Sequence, residues 1–158
     1  MIVVPEKFVS ESCIQTTHLV LPQNTNQLGN LLGGQLMHWI DIIAALSAAK
    51  HTQYVCVTAS VDSISFHHPN RLGEVVTLLA AVNRVFSTSM EVGVKVFNES
   101  YQKGTKLHTN SAYLTFVSVD ADTKPVKANK IIPQTEEEIR RYDEALRRRE
   151  ARLLARQS

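Results

Sequence analysis

Asn26-Gln-Leu-Gly-Asn-Leu-Leu-Gly-Gly-Gln-Leu-Met-His-Trp-Ile-Asp41 opens as a polar loop, passes through a Gly-Gly pair and becomes the most apolar helical stretch of the chain. From residue 34 to about 51 the pattern is helical, with Leu36, Met37, Ile40, Ile43, Ala44 and Ser47 on one side. Most other positions are also apolar or small, and a helix that is hydrophobic nearly all round is a buried one. Ala44, Ala45, Ala48 and Ala49 let a sheet approach closely, so this helix is expected inside, wrapped by strands. Asp41 is the exception, with Trp39 and Ile40 before it and Ile42 and Ile43 after it. An ionised carboxylate in such surroundings costs roughly several kcal/mol unless it is paired. A structural role would pair it with His38, one turn earlier, or with an arginine from elsewhere.

A chemical role follows from the spacing. Gly33-Gly34 at the helix start lets a ligand approach exposed N–H groups at the positive end of the helix dipole. Such donors suit the oxyanion of an acyl carbonyl. Asp41 follows Gly34 by seven residues. That is about 700°, within ~20° of two full turns, and ~10 Å along the axis. The N–H donors and the carboxylate therefore share one helix face, and a carboxylate ionised at neutral pH is a competent general base. Asn26 either shapes its turn, as an Asn in a Gly-containing loop commonly does, or holds water or a carbonyl through its carboxamide.

Outward from this stretch, strands are expected over 11–21, 55–67, 74–86, 89–99 and 105–119, with Val57, Ala59, Val61 and Ser63 on one face of the second. Pro22, Pro69 with Asn70 and Gly73, Ser87-Thr88 and residues 100–104 mark the turns. Short connections make consecutive strands antiparallel. A charged helix follows over 134–155. Thr135 and Glu138 form its capping box, and Glu136/Arg140, Glu137/Arg141, Asp143/Arg147 and Glu144/Arg148 are spaced as favourable pairs. Its apolar stripe (Ile139, Tyr142, Leu146, Leu153) is thin, so it is expected to be largely solvated. The domain division is 1–133, with 134–158 as a C-terminal helical extension.

The 158 residues suit one domain, and 44% hydrophobic with 20% charged residues argue against disorder. Seventeen basic against fifteen acidic residues give +2, too balanced for a nucleic-acid partner. Cys13 and Cys56 lack metal-ligand spacing and are expected to be reduced, buried apolar residues. The N-terminus has no secretory pattern and no segment reaches the length of a membrane span, so a cytoplasmic protein is expected. There is no GxSxG, and His38, His67 and His68 form no HExxH-like set, so neither serine nor metal catalysis is supported.

Asn26-x-x-Gly29-x-x-x-Gly33-Gly34, then Leu36-Met37 and Asp41, resembles the active-site loop and helix of hotdog-fold acyl-CoA thioesterases of the broad-specificity bacterial and brain cytosolic type. Val61-Asp-Ser-Ile-Ser-Phe66-His-His-Pro69-Asn-Arg-Leu-Gly73-Glu74 is similar to that family's Phe-x-x-Pro-x-x-x-Gly-Asp/Glu stretch. Ser89-Met-Glu-Val92, Tyr113-Leu-Thr-Phe116-Val and Pro133-Gln-Thr-Glu-Glu-Glu with Arg141-Tyr142 extend the match over nearly all of 11–150. The resemblance implies an α+β hotdog fold, a five-stranded antiparallel sheet wrapped around one long central helix. It implies hydrolysis of acyl-CoA to a free acid and CoA, with no cofactor beyond the CoA of the substrate, no metal, and no nucleic-acid or membrane partner. It also implies homodimers pairing edge to edge, three of them assembling into a hexamer, with Asn26 of one subunit facing Asp41 of the other. Asp41, Asn26 and Gly34 are then catalytic, and Gly33 contacts substrate. Relatives often carry a basic residue in the turn between the third and fourth strands; here Ser87, Thr88 and Ser89 stand there, leaving CoA phosphates to them, to Arg84, or to Arg71 or the Lys124–Lys130 loop of a neighbouring subunit. The alternatives are a hotdog hydroxyacyl-thioester dehydratase, which would use a His with an acid, and a non-catalytic acyl-CoA-binding protein.

Overall fold

The computed structural model describes residues 5–157. Its elements are β1 (Lys7–Phe8), β2 (Ile14–Leu19), α1 (Gly33–Thr52), β3 (Val55–Val61), β4 (Val75–Val85), β5 (Ser89–Ser100), β6 (Thr105–Val119), β7 (Ile131–Ile132) and α2 (Glu136–Ala155), with short 3₁₀ turns at Val9–Ser12 and Pro22–Asn24. Five strands form one antiparallel sheet in the order β2-β4-β5-β6-β3.

Strand alternation builds the core. Val76, Leu78, Ala80 and Val82 of β4, Val92, Val94 and Val96 of β5, and Ala112, Leu114 and Phe116 of β6 are buried with Leu36, Ile40, Ile43, Ala44 and Ala48 of α1. Successive side chains on a strand point to opposite faces, so these same-parity residues make one apolar face for the helix to lie on.

The sheet curls against α1 as expected. Ile42 and Leu46 on the far side of the helix are 45% and 49% exposed, so a single chain buries only part of a helix that is apolar nearly all round. Other expectations are corrected. β3 ends at Val61 rather than near residue 67, because pairing with β6 stops at Val61↔Leu114, followed by one last bond from the Asp62 N–H to the Tyr113 carbonyl. Nor does β3 pair with β4, its neighbour in sequence; residues 62–74 carry the chain away from that edge, and β4 pairs with β2 and β5. Ahead of β2, β1 pairs in parallel with β7. Cys13 is exposed and Cys56 half-buried rather than both buried, and both are free thiols.

α2 begins as expected, with the Thr135 hydroxyl accepting from the Glu138 N–H and the Glu138 carboxylate accepting from the Thr135 N–H. It is not simply solvated. Arg148 reaches down to Glu91, which is fully buried, and holds both carboxylate oxygens at 2.9 and 2.7 Å. Its guanidinium lies 3.6 Å over the Tyr113 ring, while Arg149 lies 4.3 Å over Phe86. Arg84 of β4 stacks 4.0 Å over Tyr142 and donates to the Tyr142 carbonyl. Planar guanidiniums on aromatic faces and one bidentate pair thus do the docking that a thin apolar stripe cannot. Burial works against the charge of Arg148, yet the hydrogen bond and the charge of Glu91 prevail and raise its pKa. Of the expected helix pairs, Glu137–Arg141 and Glu144–Arg148 form, while Arg140 turns to Glu144 and Glu137 instead of Glu136. Among the described residues no helix is long and apolar enough to cross a membrane.

Candidate active site

The loop before α1 is tightly tied. Leu31 N–H donates to the Asn70 carbonyl at 2.7 Å, Leu32 N–H to the Asn24 carbonyl at 2.9 Å, and Leu72 N–H to the Gly29 carbonyl at 2.9 Å. Gly29 sits at φ 77°, the left-handed region where a glycine has no Cβ to clash. Asn26 is exposed, and its side-chain oxygen accepts from the Leu28 N–H at 2.9 Å and the Asn30 N–H at 3.1 Å. Its carboxamide oxygen therefore shapes the turn. Among the described residues no hydrogen bond joins Asn26 to Asp41 within one protomer.

α1 starts with Leu32 at the N-cap, with no side-chain cap. A Ser, Thr, Asp or Asn there would fill first-turn N–H groups. Leucine cannot, so the N–H groups of Gly33 and Gly34 have no acceptor among the described residues, while those of Gln35 and Leu36 turn back to the Leu32 carbonyl. A Cβ built on Gly34 meets nothing within 4 Å, and one on Gly33 comes 3.7 Å from the Phe66 ring. Phe66, Pro69, Leu31, Gly33 and Leu36 line a cavity of about 200 Å³ beside this helix end.

Two turns along, Asp41 is half-buried. Its partner is neither His38 nor an arginine. Thr58 of β3 donates its hydroxyl to the Asp41 carboxylate at 2.7 Å. The β3–β6 register slips between Thr58 and Ser60, and such bulges re-aim side chains beside functional sites. Thr58 was missed in the sequence, although alternation sets it opposite the Val57, Ala59 and Val61 face. Ile42 and Leu46 of α1 and Val55, Val57 and Val61 of β3 are all exposed.

The other candidates gather at the β4–β5 turn. Ser89 pairs with Val117, which pairs with Val57, so the turn lies two strands, ~10 Å, from β3 beside Thr58. Arg84 is engaged with Tyr142 as described, and the Ser89 hydroxyl accepts from Arg149 at 3.3 Å. The Ser87 carbonyl accepts from the Ala128 N–H at 2.8 Å and the Thr88 carbonyl from the Ser118 N–H at 3.0 Å. Residues 124–130 thus run beside this turn within the same subunit, bringing exposed Lys127 next to Ser87. No group of three or more His, Cys, Asp or Glu suited to a metal ion occurs among the described residues.

The model of a family described as the thioesterase superfamily matches residues 28–105. An uncharacterized acyl-CoA thioester hydrolase of Bacillus subtilis (strain 168), YkhA, is 41% identical over 142 residues, spanning 90% of this chain and 83% of that protein. The chain belongs to the thioesterase superfamily. Acyl-coenzyme A thioesterase 11 of Mus musculus is 43% identical over 89% of this thioesterase-superfamily chain, which spans only 24% of the mouse protein's length. An apo-hexameric acyl-CoA thioesterase superposes with a TM-score of 0.92 at 39% identity, covering 96% of this chain and 97% of that one. The Staphylococcus aureus acyl-CoA hydrolase, solved with butyryl coenzyme A, coenzyme A and coenzyme A disulfide, gives 0.88 at 35% identity, with 97% and 95% covered. This superfamily member therefore has the hotdog fold, its five-stranded antiparallel sheet curled against α1. Mutants of the S. aureus hydrolase replace an asparagine, an aspartate and a threonine by alanine. The aspartate follows the asparagine by fifteen residues and the threonine follows the aspartate by seventeen, the spacing of Asn26, Asp41 and Thr58.

Proposed function

We propose that the protein hydrolyses acyl-CoA thioesters to a free carboxylic acid and CoA. The observation that carries this is a Thr58-held carboxylate, Asp41, two turns along a helix whose first N–H groups are left open by a leucine N-cap. With the thioester carbonyl at the Gly34 N–H, water adds to the carbonyl carbon and Asp41 takes its proton. The oxyanion collapses, the C–S bond breaks, and the CoA sulfur leaves and regains a proton. Direct attack by Asp41 would give a mixed anhydride that water then opens; a single turnover in labelled water distinguishes the two.

The site is completed by a second copy. Exposed Val55, Val57 and Val61 on β3, an edge strand of the sheet, with Ile42 and Leu46, form the surface on which two copies pair through β3, three such dimers making a hexamer. Asn26 then reaches Asp41 of the partner subunit, its NH₂ free to hold water or carbonyl because its oxygen is committed to the loop. The CoA phosphates lie along Ser87, Thr88 and Ser89, with Gly33 against the substrate. Lys127 of the same subunit supplies charge there, Arg84 being committed to α2. Two free thiols, Cys13 and Cys56, fit a reducing cytoplasm.

Thiol release from a series of acyl-CoA chain lengths tests the reading, and hydration of an enoyl thioester in its place would convert it to a dehydratase. Gly34→Ala sharpens it. Nothing in the protomer obstructs the added methyl, and alanine favours a helix over glycine by up to ~1 kcal/mol. The Gly34 N–H is retained, but the methyl stands in the open space through which a thioester would reach it, so the variant is expected to melt no lower than the parent yet lose roughly tenfold in kcat/KM through misplacement of the carbonyl. Unchanged kinetics would remove the oxyanion from Gly34.

A further inference from the structure

We propose that Arg152 is a positioning residue for substrate binding, holding the 62–69 segment in place through Asp62. This rests on the acyl-CoA reading of the cavity at the start of α1. Arg152 lies on the last turn of α2, outside that cavity. Its Nη1 contacts both carboxylate oxygens of Asp62 at 3.3 Å and lies 3.9 Å from Glu91. Both side chains are largely buried, at 21% and 24% exposure, so the pair is screened less than a surface ion pair.

Asp62 is the first residue after β3, where ladder pairing ends. From there to residue 70 the chain has no strand partner and lies over the helix start, placing Phe66 against Gly33 and forming one wall of the cavity. Its far end is fixed by the Asn70 carboxamide, which accepts from Asn98 at 2.9 Å. Its middle is held by the Asn110 side chain on the Ser65 carbonyl. Its near end is held by the Asp62 N–H on the Tyr113 carbonyl and by Arg152. The ring of that same Tyr113 carries Arg148. α2 thus clasps the corner from which the wall departs, and the buried charge of Glu91 anchors the clasp. The wall places Phe66 relative to the open N–H groups, so its position should set substrate affinity and leave the chemical step alone.

Hydrogen exchange and steady-state kinetics on the full chain test this. Arg152→Ala should speed exchange of the Asp62 amide, the bonded N–H at the near end of the segment, about tenfold and raise KM for acyl-CoA roughly fivefold, with kcat within about twofold. Asp62→Asn should do the same, and the double variant should add little to either. Arg152→Lys should recover part of the loss, and Arg140→Ala, on the exposed face of α2, should change neither reading. Exchange accelerated only in α2, with the Asp62 amide unchanged, would reduce Arg152 to a helix tether and overturn the proposal. So would a loosened segment with unaltered KM. A parent protein without thioesterase activity would defeat the acyl-CoA reading instead, while the exchange result still decides whether Arg152 holds the segment.

Discussion

Asp41→Ala is expected to lower kcat/KM for an acyl-CoA by about 10³-fold, within the range for loss of a general base. The protein should stay folded, with a melting temperature within a few degrees of the parent. The fold has little stake in this carboxylate: Asp41 is half-buried, bonded to the Thr58 side chain alone among the described residues, and alanine is the better helix former. The catalytic reading has everything staked on it. Thr58→Ala acts through Asp41, so its loss should be smaller, roughly ten- to a hundredfold, as the carboxylate loses the hydroxyl that orients it. Thiol release with circular dichroism melts checks both. An Asp41→Ala protein that turned over normally would end the assignment.

Arg148→Ala is expected to bring the largest loss of stability, about 3–5 kcal/mol, because it strands a buried carboxylate. Glu91 is fully buried, and without Arg148 it keeps the Asn83 amide at 3.0 Å and Arg152 at 3.9 Å. Gly93 belongs to the same arrangement: a Cβ there would come 2.7 Å from the Asn83 amide nitrogen, so no larger residue fits without displacing it. The cause is a buried charge deprived of its bidentate partner rather than the lost packing, so Arg148→Met with Glu91→Leu should recover part of the loss, the Asn83 amide then lacking its acceptor. Urea unfolding midpoints measure each variant. A double variant as unstable as Arg148→Ala would show instead that the clasp stabilises through its own geometry.

The parts legible in the sequence are those set by local chemistry. β-branched runs between Pro, Asn and Gly turns mark β4, β5 and β6 nearly to the residue, and Thr135 with Glu138 marks the start of α2. The spacing of Gly34 and Asp41 needs only helical geometry. The rest depends on contacts distant along the chain. Two-residue β1 and β7 are strands only because Lys7 and Ile131 meet. β3 takes the outer edge beside β6, which no turn signal encodes. Thr58 resembles any other strand threonine until a bulge turns it toward Asp41. The α2 arginines read as a solvated face because their partners, Glu91, Tyr113 and Phe86, lie dozens of residues earlier. Lys127 adjoins Ser87 for the same reason.

Subunit complementation distinguishes a site built from two copies of the Asn26–Asp41 stretch from one held within a single subunit. Asn26→Ala and Asp41→Ala chains, each nearly inactive alone, are co-expressed with different tags and the mixed oligomer is purified. If Asn26 serves Asp41 of the partner subunit, each mixed dimer holds one site with both residues intact. With random pairing, turnover then returns to about a quarter of the parent's. If both residues serve the same subunit's site, every site in the mixture lacks one of them, and turnover stays at the level of the separate variants.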